Sequence, residues 1–289
     1  MQFIFDAFTN WIKSFLIGCI TNNLSGMFDD VNSRVGDIAA QVGQTPQGWN
    51  ADIFAMVKTL SQNVIVPVAG MILTFVVCYE LIAMVVDRNN LHDLDTWIFF
   101  RWIFKTVIAV FLVTHTFDIV TGVFDLAQHV VNGSAGIISG STKIDLSAIT
   151  GDLKTKLNAM DVPALFGLWI QSLLIGFSIK IMSVCIFLII YGRMLEIYLF
   201  TSIGPIPFAT FANREWGQMG KNYLKSLFAL GFQGFLIMVC VAIYAVLVKT
   251  ISTTGDIQGS IWSCAGYTVL LCFALFKTGS LSKSIFTAR

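Results

Sequence analysis

Lys180 is a charged side chain inside one of the longest apolar runs of this sequence. It lies near the middle of the run between Pro163 and Arg193. If such a run crosses a membrane, its charges usually face a cavity, another protein or an opposite charge, because burying a charge in hydrocarbon is costly. The position of Lys180 therefore predicts a pore or a subunit interface, or else an ion pair with a carboxylate on another helix.

Other ionisable residues lie nearer to the ends of apolar runs. Glu196 follows Arg193 by three positions, which favours a local ion pair on one helix face. Glu80 and Asp118 lie within about two turns of the ends of their runs, so we expect them at a polar boundary. His115 is a further ionisable residue in the run that contains Asp118.

The stretch at 204–226, GPIPFATFANREWGQMGKNYLKS, is the most unusual part of the chain. A helix cannot continue undisturbed through Gly-Pro-Ile-Pro, since proline lacks an N–H and clashes with the preceding turn. The pattern predicts a re-entrant element or elbow that gates a pore or docks a partner, or simply a kinked hairpin between two spans. The candidate pore or interface residues are Lys180, Arg193, Glu196, Gly204, Pro205, Pro207, Asn213, Arg214, Glu215 and Trp216.

Motifs of catalytic or cofactor-binding sites are absent from the sequence. It contains no HExxH, GxSxG or Walker loop, and no GxGxxG that follows a strand. The six cysteines form no CxxC pair, and the three histidines lack metal-ligand spacing. The sequence therefore predicts no enzymatic activity, no cofactor and no metal site.

Composition places these residues in a membrane protein. Hydrophobic residues make up 56% of the chain and charged residues only 12%, whereas soluble domains carry about 25% charged residues. The mean hydropathy is +0.76. The formal net charge of +1 gives no strong field for nucleic-acid binding. We therefore expect an all-α, polytopic membrane protein.

The N-terminal region at 1–63 is more polar than the rest. Within it, residues 1–20 predict an amphipathic helix in the membrane interface. Residues 21–60 predict one or two short helices around a loop. The apolar face of the first helix would consist of Ile4, Phe8, Trp11, Ile12, Phe15 and Cys19.

Apolar runs long enough to cross about 30 Å of hydrocarbon predict the spans. They are 64–86, 103–124, 163–191, 226–248 and 260–277, with a polar linker at 87–96 and an aromatic, basic belt at 97–105. The chain then divides into the N-terminal region (1–63), a first transmembrane hairpin (64–124), an extracytoplasmic central loop (125–162), a transmembrane core (163–277) with a re-entrant or kinked segment (194–225), and a cytoplasmic tail (278–289).

The number of spans depends on 194–212. A full crossing there would give six spans, and a break at Pro205 would give five. Lys and Arg near span ends favour the cytoplasm. Five spans, with the N-terminus outside and the C-terminus inside, place more of these residues on the cytoplasmic side than six spans do. We therefore predict five spans.

The residues at 195–248, LEIYLFTSIGPIPFATFANREWGQMGKNYLKSLFALGFQGFLIMVCVAIYAVLV, resemble the signature region of TrbL-type conjugal transfer proteins. These are polytopic subunits of type IV secretion systems. GQTPQGWN (43–50), VIVPVAGMILTFVVCYELI (64–82) and DLDTWIFFRWIFKT (93–106) resemble the branch found in conjugative elements of Gram-positive bacteria. The resemblance extends over nearly the whole chain.

The resemblance implies a non-catalytic channel or scaffold subunit in the cytoplasmic membrane. It implies a homo-oligomer that works beside secretion ATPases and helps move relaxase-bound single-stranded DNA. The central loop at 125–162 would contact this DNA. That loop has three Lys and no Arg against four Asp, so any contact there would be weak or transient. The alternative is a stand-alone transporter of ions or small solutes that uses Lys180 and the broken helix as its site.

Overall fold

The computed structural model describes residues 2–86, 96–139, 155–251 and 257–288. Within those ranges the chain forms helices joined by turns and contains no β-strand, so the predicted all-α fold is confirmed. Five helical stretches there are long and apolar enough to cross a bilayer, as predicted. They are Ala51–Val86, Thr96–Thr114, Val162–Ala212, Gly217–Val248 and Trp262–Ile285.

The α-helices are numbered here in chain order. They are α1 (Gln2–Val42), α2 (Pro46–Trp49), α3 (Ala51–Leu60), α4 (Val66–Val86), α5 (Thr96–Thr114), α6 (Thr116–Ser139), α7 (155–159), α8 (Val162–Ile203), α9 (Pro205–Ala209), α10 (Gly217–Ile251) and α11 (Ile257–Ile285). A π-helical segment, Ser61–Ile65, joins α3 to α4, and a 3₁₀ turn, Thr210–Ala212, follows α9.

α1 is one unbroken helix of 41 residues. The prediction of a helix that ends near residue 20 and is followed by short helices around a loop was wrong in this respect. The chain first turns at 43–45, within the turn-rich GQTPQGWN segment. No proline precedes Pro46, so nothing in the polar middle of α1 removes a helical hydrogen bond.

The predicted apolar face of α1 is partly visible in its aromatic residues. Phe8, Trp11 and Phe15 are exposed and their rings stack in sequence along the helix, with centroid separations of 6.2 and 5.9 Å. Leu16 and Ile20, by contrast, are buried. The exposed aromatic row suits a lipid interface, where amphipathic ring systems concentrate.

The second span differs from its prediction at both ends. It was expected over 103–124, but α5 ends at Thr114 and a turn at His115 separates it from α6. The hydroxyls of Thr114 and Thr116 each donate to two carbonyls of the preceding turn, which locally competes with regular helical hydrogen bonding. His115 still donates its backbone N–H to Phe111, so the interruption is short.

The predicted central loop at 125–162 begins as a helix, because α6 continues to Ser139. Residues 140–154 of that loop lie outside the described residues, as does most of the predicted linker at 87–96. The predicted tail at 278–289 is also helical at its start, since α11 continues to Ile285.

α8 is the longest helix, with 42 residues. It joins the predicted third span at 163–191 to the segment at 194–203 without a break. At 1.5 Å per residue it is about 63 Å long, roughly twice the hydrocarbon thickness of a bilayer. Part of α8 therefore lies outside the hydrocarbon unless it is strongly tilted.

The chain forms two compact units. The first unit contains Met1–Val42, Asn132–Ile190 and Ile237–Lys277, and the second unit contains Gly43–Val131, Tyr191–Leu236 and Thr278–Arg289. Both units contain segments that are far apart in sequence. Each unit has buried hydrophobic residues that form a core of its own.

The core of the second unit joins α4, α5, α6 and the C-terminal part of α8 to the segment that follows Gly204. Its contributors include Leu73 and Val76 of α4, Val113 of α5 and Leu227 of α10. A smaller cluster of Val57, Phe117 and Tyr198 lies beside it.

The core of the first unit is built from α1, the N-terminal part of α8, the C-terminal part of α10 and α11. Buried residues include Leu24 of α1, Ile175 of α8, Val241 of α10 and Leu271 of α11. The Tyr244 and Thr268 hydroxyls share a hydrogen bond of 2.9 Å inside this core. Large apolar side chains of this unit, including Leu174, Phe177 and Ile243, are exposed, as expected of a surface that faces lipid.

Candidate functional site

The segment at 204–220, called the elbow here, belongs to the second unit. Gly204 interrupts the helix between α8 and α9, but its backbone keeps helical dihedrals, with φ −48° and ψ −40°. Pro205 and Pro207 lack N–H groups, so two helical hydrogen bonds are lost at this point. The predicted break is therefore a one-residue interruption.

Residues 194–212 are consequently not a separate sixth span. They share one candidate span, Val162–Ala212, with the preceding apolar run, and residues 213–216 separate this span from Gly217–Val248. Within this segment the helix is interrupted at Gly204 and continues as α9.

Two glycines of the elbow allow close packing. A Cβ atom added to Gly204 would lie 2.7 Å from the Tyr223 Oη and 2.8 Å from the Thr116 Cγ2. A Cβ atom added to Gly220 would lie 2.7 Å from the Pro207 carbonyl oxygen. Separations below 3.0 Å require neighbouring atoms to move, so only glycine fits both positions as they stand.

Tyr223 holds the interruption from the side of α10. Its hydroxyl donates to the Phe200 carbonyl at 2.7 Å. Its ring stacks on Phe200 and meets Phe208 edge-on, with centroid separations of 5.8 and 5.6 Å. The kink is therefore supported by a hydrogen bond and by aromatic packing on the residues before and after it.

Glu80 of α4 is the polar centre of the site, and only 5% of it is exposed. Its Oε1 accepts a hydrogen bond from the Lys105 Nζ at 2.6 Å. Its Oε2 accepts from the Asn213 Nδ2 at 3.0 Å and from the Arg214 backbone N–H at 3.3 Å. A buried carboxylate needs such partners to remain charged.

Asn213 connects the Glu80 carboxylate to the turn at 213–216. While its amide nitrogen donates to Glu80, its Oδ1 accepts from the backbone N–H groups of Glu215 at 2.8 Å and Trp216 at 2.9 Å. All the polar atoms of this buried side chain are thereby paired. Asn213 thus holds the turn in one conformation directly before α10 begins.

Trp216 forms the outer face of the site and is 42% exposed. Its ring stacks on Tyr79 and Phe75 of α4, with centroid separations of 6.0 and 5.7 Å. The Tyr79 hydroxyl also donates to Glu215 at 3.5 Å. Arg214, Glu215 and Trp216 are exposed together, and this surface is called the elbow face here.

The predicted ion pair between Arg193 and Glu196 was wrong. Glu196 instead accepts from the Lys283 Nζ of α11 at 2.9 Å. Arg193 is 6% exposed, and its guanidinium donates to the Leu230 carbonyl at 3.4 Å through both Nε and Nη2. Gly234 makes room for it, because an added Cβ there would lie 2.8 Å from the Arg193 Nη2.

Lys180 lies in the first unit and takes no part in the elbow. It is exposed, and it lines a cleft between α1 and α8. It forms no ion pair or hydrogen bond with any residue that the structure describes. Asp118 is exposed at the start of α6 in the second unit, where it lines a cavity of about 210 Å³ together with Lys58.

The contacts around Glu80 are suited to stabilising the turn at 213–216 rather than to making or breaking covalent bonds. Its contacts are one ion pair and hydrogen bonds that are already satisfied, so no base stands free beside a nucleophile. In the described part of the chain, no group of three His, Cys, Asp or Glu residues is placed to hold a metal ion.

Sequence reasoning missed several parts of the site. Glu80 was expected at a polar boundary, but it faces protein on all sides. Lys105 was seen only as one residue of the aromatic, basic belt. Gly220 and Tyr223 were unassigned, although the spacing of Gly217, Gly220 and Tyr223 along one helix was a signal of close packing.

Comparison with known proteins identifies a family. The family model described as TrbL/VirB6 plasmid conjugal transfer like protein matches residues 31–205, more than half of the chain. No curated protein and no solved structure matches the chain. The matched range contains Glu80, Lys105 and Gly204 but ends before most of the elbow. Most of the stretch at 195–248, which carries the sequence resemblance, lies beyond the matched range. The chain belongs to the TrbL/VirB6-like family of plasmid conjugal transfer proteins.

Proposed function

We propose that the protein is a scaffold or channel subunit in the cytoplasmic-membrane part of a conjugative type IV secretion system. The family match over residues 31–205 carries this proposal. Five apolar helices that could each cross a bilayer support the membrane location. In this proposal the protein has no catalytic activity of its own, and secretion ATPases supply the energy for transfer.

The elbow face is the docking surface in this proposal. A rigid turn that exposes an arginine and a tryptophan has the composition typical of interface hot spots. Asn213 and Glu80 fix the backbone of the turn, so a partner would meet Arg214, Glu215 and Trp216 in a preformed arrangement. Met219, which is 57% exposed one turn further along, extends this surface.

With the N-terminus outside and the C-terminus inside, the turn at 213–216 lies on the cytoplasmic side. That is the side on which secretion ATPases act. The central loop at 125–162 is then extracytoplasmic, where it contacts the transferred DNA weakly or transiently. We infer further that several copies of the chain assemble, as the resemblance to TrbL-type conjugal transfer proteins implies.

The experiment that tests the role is DNA transfer by a deletion strain. Loss of the protein should abolish conjugation without slowing growth, and the wild-type gene supplied in trans should restore it. Transfer at the normal rate without the protein would rule out the proposed role.

The docking surface is tested separately with Trp216→Ala. We expect this variant to reach the membrane in normal amounts but to lower transfer by at least about tenfold, as the loss of a hot-spot residue does to binding. Trp262→Ala is the matched control, because Trp262 is comparably exposed at 54% but belongs to the first unit. Photo-crosslinkers at 216 and 262 should capture a secretion ATPase from the first position only. Equal transfer by both variants would reject the elbow face as a docking surface.

A further inference from the structure

Two lysines and three phenylalanines lie in one line along the N-terminal half of α10, and this line is called the α10 stripe here. Its members follow one another at intervals of three or four residues, so they occupy an arc of about 80° around the helix axis. The buried side chains of α10, such as Tyr223, Leu227 and Leu230, lie on the opposite face. The α10 stripe consists of Lys221, Lys225, Phe228, Phe232 and Phe235.

The α10 stripe changes from cationic to aromatic along the helix. Lys221 and Lys225 lie within about the first three turns of the candidate span Gly217–Val248. Phe228 and Phe232 follow further into the span and are 37% and 40% exposed. The span has 32 residues, whereas about 20 are enough to cross the hydrocarbon. Its first turns can therefore lie at the level of the lipid headgroups, with the phenylalanines in the hydrocarbon below them.

The residues that follow α11 complete the α10 stripe. Phe286 stacks on Phe228 with ring centroids 6.3 Å apart, and it contacts Phe232 at a centroid separation of 5.4 Å. The Oγ1 of Thr287, the next residue, accepts a hydrogen bond from the Lys225 Nζ at 3.1 Å. Polar groups from both helix ends therefore meet at one end of the stripe, and aromatic rings from both lie directly beside them.

The backbone after α11 fixes Thr287 in this place. The N–H groups of Thr287 and Ala288 donate to the Ser284 and Lys283 carbonyls at 3.1 and 2.9 Å. Thr287 has a φ of 49°, in the left-handed region that commonly closes a helix at its C-terminus. The hydroxyl of Thr287 is thereby held beside Lys225. Because its oxygen accepts from Lys225, its own O–H remains available as a donor.

The polar end of the α10 stripe is cationic. Lys221 is exposed and forms no ion pair or hydrogen bond with any residue that the structure describes. The Lys225 ammonium donates to the neutral Thr287 hydroxyl, which leaves two of its three donors for a ligand. Lys283, one turn before Thr287, is already neutralised by Glu196 at 2.9 Å. Two ammonium groups and one hydroxyl thus form a site for an anion.

We propose that the α10 stripe binds an anionic phospholipid such as phosphatidylglycerol. Its phosphodiester lies at Lys221 and Lys225, where the Thr287 hydroxyl also donates, and an acyl chain follows the rings of Phe228 and Phe232. The anionic headgroup compensates the two positive charges, whereas the ammonium group of a zwitterionic phospholipid would lie beside them. Since the lipid contacts α10 and the end of α11 together, it holds these two helix ends against each other.

The test uses the full chain purified in detergent and incubated with phosphatidylglycerol, phosphatidylethanolamine or phosphatidylcholine of the same chain length. Native mass spectrometry measures the lipid retained at graded lipid concentrations. We expect the apparent affinity for phosphatidylglycerol to be higher than for the other two by at least about tenfold, because each lysine near an anionic lipid contributes about fivefold. Equal retention of the three lipids would overturn the proposal.

Variants without the lysine charges test the polar end. Lys221→Gln combined with Lys225→Gln should lower the affinity for phosphatidylglycerol by at least about tenfold. Lys13→Gln combined with Lys180→Gln is the matched control, because it removes the same charge from the first unit, and it should leave the affinity unchanged. Equal losses in the two double variants would show a general attraction between the protein and anionic lipid, and the proposal would fail.

The aromatic part is tested with both lysines in place. Phe232→Ala should lower the affinity for long-chain phosphatidylglycerol by about fourfold, which corresponds to the loss of roughly one buried methylene group. Phe273→Ala is the matched control, since Phe273 is 63% exposed on α11 in the first unit. Equal effects of the two changes would show that lipid covers the protein without a specific site, which would overturn the proposal.

Two further arms distinguish other occupants of the cationic end. Inorganic phosphate at millimolar concentration should not displace the lipid, and displacement would show a site for free anions instead. If the lysine variants lost a co-purifying acidic protein while they retained phosphatidylglycerol, the surface would bind that protein and the proposal would fail. Because retention is measured on the purified chain, failure here would leave the role in conjugation standing, and normal DNA transfer by a deletion strain would leave the lipid site standing.

Discussion

Charged side chains have opposite surroundings in the elbow and in the trench, which is the cleft between α1 and α8 that Gly26, Gly176 and Lys180 line. In the elbow, both oxygens of the Glu80 carboxylate accept hydrogen bonds, and Asn213 has every polar atom paired. In the trench, Lys180 faces an open cleft and has no partner in the described part of the chain. The glycines differ in the same way, since those of the elbow touch their neighbours and those of the trench face empty space.

This contrast shows why an intramembrane charge does not by itself identify a function. A charge whose partners are all supplied by its own chain stabilises one conformation, and removing it is costly. A charge left open to a cavity contributes little to folding and is available for a ligand. Substitutions in the elbow should therefore lower stability more than ligand binding, and substitutions of Lys180 should lower ligand binding more than stability.

The largest effect on stability is expected from Glu80→Ala. It leaves the Asn213 amide and the Arg214 N–H without an acceptor, so the free energy of unfolding should fall by about 2–4 kcal/mol. Lys105 is partly exposed, with 39% of its side chain accessible, which limits the cost of losing its partner. Unfolding in detergent micelles measures the effect. Glu215→Ala, at an exposed carboxylate of the same turn, should change stability by less than about 0.5 kcal/mol. Equal losses for the two variants would show that the Glu80 contacts do not stabilise the elbow.

Gly220→Ala should be the next most damaging change. The new methyl would lie 2.7 Å from the Pro207 carbonyl oxygen, and forcing such a contact typically costs about 1–3 kcal/mol. Gly266→Ala is the matched control in α11, where an added Cβ meets nothing within 4 Å. That change should stabilise the protein by up to about 1 kcal/mol through helix propensity. Thermal unfolding of both variants measures the difference, and the same sign for both would contradict the packing at Gly220.

Asn213 should be sensitive to charge as well as to shape. Asn213→Ala removes the acceptor for two backbone N–H groups and should cost about 1–2 kcal/mol. Asn213→Asp keeps that acceptor but places a second carboxylate about 3 Å from Glu80, and like charges there repel. We therefore expect the aspartate variant to be no more stable than the alanine variant at neutral pH. A wild-type melting temperature for Asn213→Asp would contradict the donor role of the Asn213 amide.

The smallest effect on stability is expected in the trench. Lys180→Met removes an exposed charge that has no described partner, so the free energy of unfolding should change by less than about 0.5 kcal/mol. Lys105→Met, which removes the ion-pair partner of Glu80, should cost clearly more in the same unfolding assay. If Lys180→Met proved the more damaging of the two, the contrast between elbow and trench would be reversed.

Much of the fold could be predicted from local patterns. The all-α class and the five apolar spans follow from the length of uncharged runs, because each must cover the hydrocarbon. The interruption at Gly204 follows from two prolines that lack N–H groups. The ends of helices were less predictable. α1 and α8 continue through polar or charged stretches, since nothing in them removes backbone hydrogen bonds.

The partners of the charged residues could not be predicted in the same way. Spacing along one helix suggested that Arg193 pairs with Glu196, yet Glu196 is bound by Lys283, which lies far away in sequence. Glu80, Lys105 and Asn213 likewise come from three separate segments. Spacing can indicate only neighbours on one helix, whereas these contacts form when helices pack.

The sequence by itself therefore determined that Lys180 and Glu80 are charges within apolar surroundings, because composition and run length are local properties. Only the tertiary structure decided which of them is satisfied. Glu80 lies where α5 and the turn at 213–216 bring it three donors, and Lys180 lies where two glycines hold a cleft open. The physical reason is that the free energy of a buried charge depends on atoms within a few ångströms, and in a helical protein most of these belong to other helices.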